Sequence, residues 1–481
     1  MNKLYLDEYI EKNQAAFIAI SDKIWNLAEM RFQEHQSAEL LAGFLEQEGF
    51  QVERGAAGIP TAFVASFGAG GPIIGILGEY DALAGISQHC GVAAKQAVVP
   101  DGNGHGCGHN MLGAGTLAAA VAVKHYLQAN GLPGTIRYYG CPGEEGGSGK
   151  AFMAREGVFA DVDAALTWHP FGHSGIMSVS TLANFQVYYR FHGRSAHAAS
   201  APHLGRSALD AVELMNIGVN YLREHIIPEA RVHYAVTNAG GSSPNVVQAE
   251  AEVLYLMRAP QLGQVQEIYE RICKIAQGAA LMSGTELEVV FDKACSNYIP
   301  NGTLEQVMYA NLQDVGAPVF DEADRQFARQ IRNTLTATDI KNDLKMGSDF
   351  MGGQRPDIIK ALADKELSDV ILPYVHSASL LAGSTDVGDV SWIAPTAQVI
   401  VACQALGTPG HSWQAVSQGA TGIAHKGMLT AAKVIARTAV DVMANPDIAR
   451  KARVELDDKL GGVKYVSPIP AEVKPKPYGN K

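Results

Sequence analysis

The chain has 481 residues, 47% of them hydrophobic and 18% charged, with a net charge of −11 at neutral pH. That length exceeds one typical domain, so two domains with a sizeable core are expected. The negative balance argues against a nucleic-acid or anionic-membrane surface, and no window approaches 18 uninterrupted apolar residues, so no membrane span is expected.

The opening MNKLYLDEYIEKNQ is charged and lacks the apolar stretch of a signal peptide. Helical spacing in IWNLAEM and SAELLAGFLEQEGF predicts helices over 4–49, with Ser37 as an N-cap and Gly49 just past a C-terminus. Short apolar runs follow in TAFVASF, PIIGILGEY, GTIRYYGCP and DAALTWHP, with helical stretches at 110–130 and 148–157. Strands alternating with helices predict an α/β domain with a mixed, largely parallel sheet flanked by helices.

The texture changes near residue 183. NFQVYYRFHG, ARVHYAVTNAGG, AEAEVLYLMRAP and ELEVVFDKACS read as strands, and the segments starting SALDAVELM and QVQEIYERI as helices. Their β-α-β-β-α-β order is the ferredoxin-like pattern. An α+β domain at 183–296 is therefore expected, inserted into a discontinuous domain made of 1–182 and 297–481. The proline-rich end, SPIPAEVKPKPYGNK, is expected to be loosely held.

The six cysteines, Cys90, Cys107, Cys141, Cys273, Cys295 and Cys403, are scattered and do not form a disulfide framework. A reduced, cytoplasmic protein is expected. Candidate ligands fall at predicted strand ends, where open α/β sheets place their sites. Cys107 and His109 lie in NGHGCGHN, Glu144 and Glu145 follow TIRYYGCPG, His169 follows DAALTW, and His411 lies in GTPGHSW. Thiolate, imidazole and carboxylate together form the ligand set of zinc and related divalent ions.

Glycines 104, 106 and 108 are expected to allow sharp turns through positive φ. Adjacent carboxylates point in different directions, so one of Glu144 and Glu145 can bind metal while the other takes a proton from an attacking water. The same pair would also suit a helix start. His105, His173 and His425 are rivals that spacing does not separate from His169 and His411. Gly102, Gly104 and Gly106 resemble part of a dinucleotide fingerprint. KQAVVPDGNG is a poor strand, however, and residue 129 is alanine where an acid is needed, so nucleotide binding is not expected.

In order along the chain, GEYDALAG, GHGCGHN, CPGEEGGSGK, TWHP, GRSAHAAS, SPNVVQAEAEVLYLMR and GTPGHSW resemble one metallopeptidase family. It includes aminoacylases, carboxypeptidase G and auxin-conjugate amidohydrolases, and the likeness spans nearly the whole chain. STDVGDVSW and NGHGCGHN favour its aminobenzoyl-glutamate-hydrolysing subgroup. The resemblance implies a catalytic α/β domain with an inserted lid and dimerisation domain. It implies two divalent ions, Mn²⁺ or Zn²⁺, held by Cys107, His109, Glu145, His169 and His411, with Glu144 as general base.

By the same resemblance, His197 of the lid would reach a partner's active site and stabilise an oxyanion. Asn245 and Arg258 would meet a substrate carboxylate, although Arg258 would equally suit a structural salt bridge. The implied reaction is cleavage of a small acyl-amino-acid, p-aminobenzoyl-glutamate, to p-aminobenzoate and glutamate. The implied assembly is a homodimer or a heteromer with a homologous A chain. The alternatives are a related N-acyl-amino-acid amidohydrolase or dipeptidase, or a supporting component of a heteromeric hydrolase.

Two departures stand out. Asn110 occupies a position where many members of the subgroup have aspartate, which alters the surroundings of the ligands. Glu79 of GEYD stands where members with a His-x-Asp motif have histidine. Asp81 remains, as a group orienting a ligand or as a turn aspartate.

Overall fold

The computed structural model describes residues 2–377, 379–477 and 479. Its strands are β1 (Gln51–Arg54), β2 (Phe63–Ala69), β3 (Ile73–Glu79), β4 (Gly134–Cys141), β5 (Ala164–Phe171), β6 (Gly175–Ile176) and β7 (Ser180–Thr181). They continue with β8 (Ala183–His192), β9 (Arg231–Asn238), β10 (Glu250–Ala259), β11 (Glu286–Cys295), β12 (Leu380–Leu381) and β13 (Thr396–Ala402).

Seven strands form one sheet in the order β1-β2-β4-β3-β5-β13-β6. The middle four, β4, β3, β5 and β13, are mutually parallel. β1, β2 and β6 add antiparallel edges. This is the mixed, largely parallel sheet that the alternation of strands and helices predicts. The parallel strands read as continuous apolar runs because helices cover both faces. The helices His109–Asn130 and Gly422–Ala444 pack on one face, and Gly149–Arg155 and Val387–Ser391 on the other.

The helix His109–Asn130 is built from small residues, and nearly all of it is buried. Its closeness to the sheet depends on them. A Cβ on Gly113 would lie 2.6 Å from the Glu79 carbonyl oxygen, so only glycine lets the first turn rest on the end of β3. That contact places His109 beside Glu79 and Asp81.

The second sheet is fully antiparallel, in the order β11-β8-β10-β9. The helices Ala208–Leu222 and Leu262–Ser283 cover one of its faces. Buried and half-exposed residues alternate along β8, as a strand with one covered face requires. Among the described residues no helix is long and apolar enough to cross a membrane.

Two local expectations are corrected. Ser37 does not cap a helix; it lies inside the helix His35–Gln47 and is buried. The cap comes from Glu29, whose carboxylate accepts from the backbone N–H of Gln36 (3.1 Å) and Ser37 (2.8 Å) and from the Ser37 hydroxyl (2.8 Å). Gly49 does adopt a positive φ of 85° past the helix end. The proline-rich end is held rather than loose. Ile469 is 2% exposed within the core, and Arg155 Nη1 donates to the carbonyls of Pro470 and Val473, both at 2.8 Å. Residues 478, 480 and 481 of that segment lie outside the described residues.

Candidate metal centre

The carboxyl ends of the parallel strands deliver the candidate ligands to one place. β3 ends at Glu79 and leads to Asp81, β4 leads through Gly143 to Glu144 and Glu145, β5 carries His169, and the loop after β13 carries His411. Cys107 and His109 enter at the start of the helix His109–Asn130. Three overlapping triads result: Cys107–His109–His169, Cys107–Glu145–His411 and His109–Glu144–Glu145. Within each, the potential ligand atoms lie within 4.8 Å of one another. Cys107, His109 and Glu145 each belong to two of the triads, so the six residues form one continuous group.

The glycine loop works differently from its expected mechanism. Of its three glycines only Gly108 has positive φ, 79°, at the helix N-cap. Gly104 and Gly106 are needed for close approach instead. A Cβ on Gly106 would meet the Ile86 side chain at 2.4 Å and the His411 backbone at 3.1 Å. The His411 N–H in turn donates to the Gly106 carbonyl at 3.0 Å, pinning the two ligand-bearing loops together. His411 itself has a positive φ of 57°, a strained value that persists only where the surroundings enforce it.

Asp81 engages two of the candidate ligands. His109 Nδ1 donates to one carboxylate oxygen at 2.9 Å, and the Glu145 backbone N–H donates to the other at 2.7 Å. His109 therefore points Nε2 into the cluster, where it lies 3.1 Å from Glu79 Oε2, and Glu145 Oε1 lies 3.0 Å from His411 Nε2. His169 is set similarly, since its Nδ1 donates to the Pro170 carbonyl at 3.0 Å while Nε2 lies 3.4 Å from Cys107 Sγ. Buried imidazole, thiol and carboxylate atoms packed this closely fit a site for divalent cations.

The charges point the same way. Burial and Glu145 raise the Cys107 thiol, but His169 and His109 outweigh them and bring it down to about 6. The thiolate is the metal-ligating form. Burial opposes ionisation of Glu145, yet the hydrogen bond from His411 and the charge of His109 hold it at about 2. Cys107 and Glu145 raise His411 to about 11. Protons shared among these anions stand where a cation would bind.

The three rival histidines are placed elsewhere. His105 Nε2 bonds the Ile24 carbonyl at 3.0 Å, and burial depresses its pKa to about 3. His173 Nε2 reaches the Asp343 carbonyl at 3.2 Å, and His425 pairs with Asp22 at 2.7 Å. His197 and Asn245 are exposed on the second-sheet unit and do not line the cavity at the cluster. Arg258 does not line it either. Its Nε is buried without a partner, and among the described residues it pairs with no carboxylate, against the salt-bridge alternative.

Asn110 is wholly buried, and its Nδ2 donates to the Gly419 carbonyl at 2.8 Å and to Ser21 Oγ at 3.0 Å. An aspartate there has no donor for that carbonyl. Asn110→Asp is expected to cost about 1–3 kcal/mol of stability, seen as a lower urea midpoint. An unchanged midpoint would contradict this account.

Two groups escaped the sequence reading. Lys150 is fully buried, with Nζ 2.6 Å from Glu79 and 2.6 Å from Asp386. Arg31 Nη1 donates to the Gly146 carbonyl of the Glu144–Glu145 loop and lies 3.3 Å from Asp292 on β11. Nothing in GGSGK or EMRFQ signals these partners, which lie far away along the chain.

The cluster opens into a cavity of about 460 Å³. Phe171, Met177, Met346 and Leu381 form much of its apolar wall.

Comparison with known proteins agrees with this architecture. A model of peptidase family M20/M25/M40 matches residues 75–377, more than half of the chain. The chain is 54% identical over 475 residues to the B component of p-aminobenzoyl-glutamate hydrolase of Escherichia coli (strain K12), covering 98% of each. The A component of the same bacterium's hydrolase is 30% identical over 47% of this chain and 54% of its own length. A solved Bacillus subtilis structure, described as a dinuclear metal binding peptidase of the M20 family, superposes with a TM-score of 0.54. It is 18% identical, over 90% of this chain and 99% of that one.

Proposed function

We propose that this chain, which belongs to peptidase family M20/M25/M40, hydrolyses the amide bond of p-aminobenzoyl-glutamate to p-aminobenzoate and glutamate. The observation that carries the reading is the convergence of Cys107, His109, Glu144, Glu145, His169 and His411 at one end of a ligand-sized cavity. The 54% identity to a hydrolase component named for that substrate supports it.

In this reading, Cys107, His109, Glu145, His169 and His411 hold two divalent ions, Mn²⁺ or Zn²⁺. When bound, the ions polarise the amide carbonyl and acidify the attacking water. Glu144 lines the cavity beside Glu145. It takes the proton of the attacking water and returns it to the leaving amine nitrogen as the C–N bond breaks. Asp81 fixes the orientation of His109 and of the Glu145 backbone.

The 183–296 unit is the lid. In this reading its His197 and Asn245, both exposed, and its Arg258 serve the site of a partner chain. The partner is a second copy or a homologous A chain, and the setting is the cytoplasm, where the six scattered cysteines stay reduced.

The test is release of p-aminobenzoate by the purified chain, stripped with chelator and then given Mn²⁺ or Zn²⁺. Stripping is expected to abolish release and metal to restore it. Release that survives complete stripping would refute the metal assignment. No release with metal and the homologous A chain both present would refute the substrate.

A further inference from the structure

The cavity contains an unpaired polar group that the reaction does not use. Gln398 on β13 is 3% exposed and lines the cavity, and its Nε2 is buried without a hydrogen-bond partner. The neighbouring Tyr298 hydroxyl donates to the Thr396 carbonyl at 3.0 Å, and its oxygen faces the Gln398 amide without closing a hydrogen bond of ordinary geometry. Ser384 Oγ, on the same cavity, is likewise buried and unpartnered. Buried polar groups left unmade in a folded protein are few, and each costs stability unless a ligand completes it.

The position of Gln398 relative to the cluster follows from strand register. Gln398 pairs with Thr167 on β5, and Ile400 pairs with His169. Gln398 and His169 therefore face the same side of the sheet on adjacent strands, offset along the strand direction by one two-residue repeat, about 6.6 Å. Phe171, Met177, Met346 and Leu381 line the same cavity, and the Met177 backbone N–H donates to the Gln398 backbone carbonyl at 3.0 Å. An acyl carbonyl held at the cluster would send a single aromatic ring along this apolar slot, and the substituent opposite the carbonyl would arrive at the amide.

We propose that Gln398, assisted by Ser384, is a specificity-determining residue that recognises a hydrogen-bonding substituent at the far end of an aromatic acyl group. The inference rests on the acyl-amino-acid reading of the same site. A primary amide turned about its last bond offers a donor or an acceptor, and a serine hydroxyl offers both. An amino or hydroxyl substituent satisfies them. A bare ring leaves them unpaired, and sites built to hydrogen-bond a substrate group reject analogues that lack it.

The test uses the metal-loaded full chain, with its homologous A chain if turnover requires it. Two quantities are measured. One is the ratio of kcat/KM for p-aminobenzoyl-glutamate over benzoyl-glutamate, and the other is the calorimetric affinity for p-aminobenzoate over benzoate. Both preferences are expected at about 10–100-fold in the natural chain. Gln398→Met, which keeps length and loses the amide, is expected to reduce each to within about threefold. Ser384→Ala should lower the same ratios and serves if the first variant does not fold.

A merely structural role would lower both substrates together and leave the ratios standing. Equal binding of the two acids by the natural chain, or ratios in a folded variant within twofold of natural, would overturn the inference. If neither acyl-glutamate is cleaved while the p-aminobenzoate preference is present and is lost in Gln398→Met, the substrate reading falls and the role of Gln398 stands.

Discussion

Glu144→Gln is expected to lower kcat by about 10²–10⁴-fold while the protein keeps its full metal content. The side chain keeps its shape and loses its basicity. Glu144 forms a triad with His109 and Glu145, so it reaches the cluster, yet the other five candidate ligands remain when it is changed. Desolvation first, then the nearby carboxylates Glu79, Glu145 and Asp386, push its pKa well above the usual glutamate range. A general base works best when its pKa approaches the working pH.

The sign of the pH effect follows. A base must be deprotonated, so the rate of the natural enzyme should fall as pH drops through that raised value. Bound cations pull the value back down, so the limb moves between metal-poor and metal-saturated enzyme. In Glu144→Gln the acid limb attributable to this group should vanish. The measurements are a pH profile of kcat/KM and metal analysis of the same preparation. A variant within tenfold of natural turnover, or one that loses its metal, would remove Glu144 from the role of base.

The clustering of most candidate ligands was legible because they pair a ligating side chain with a strand end, and strand ends can be read from apolar runs followed by glycine or proline. Glu145, His169 and His411 follow that rule, Cys107 enters at a helix start instead, and the structure brings the four together. What decided between His169 and its rivals His105 and His173 was not legible. All three histidines sit near glycine or proline, and only the tertiary hydrogen bonds to Ile24 and Asp343 show which are structural. The glycine loop was read correctly as special and for partly the wrong reason. A tight approach such as that of Gly106 to Ile86 and His411 leaves no mark in local sequence, whereas positive φ is a local property. The Ser37 cap failed in the same way, because Glu29 supplies the acceptor from outside the helix.

Lys150 was the largest omission, and Lys150→Met is expected to be the most destabilising single change near the site, by about 3–5 kcal/mol. One buried cation serves two buried carboxylates. Lys150 Nζ lies 2.6 Å from Glu79 and 2.6 Å from Asp386, and its backbone N–H donates to the second Asp386 oxygen at 2.8 Å. Burial alone would depress the lysine, but Asp386 and Glu79 hold its pKa well above the ordinary value. The two acids diverge. Glu79, also facing His109, is lowered against its burial, while Asp386 is raised by burial despite Lys150.

Methionine fills the space and removes the charge, leaving both carboxylates in a dry interior. An unpaired buried acid has a folded-state pKa above its unfolded value. Its penalty is therefore absent below the unfolded value, grows as pH rises from there towards the raised folded value, and is constant above it. The stability deficit of Lys150→Met should be larger at pH 8 than at pH 5, read as the shift in urea midpoint at each. The loss should extend to metal affinity. Asp386 follows directly on the cavity-lining Ser384 and Thr385, and Glu79 lies 3.1 Å from His109 Nε2, so one ammonium group ties the substrate wall to the ligand cluster. A variant with a natural midpoint at pH 8 would show that the three charges are independent, and that the wall and the cluster are positioned by packing alone.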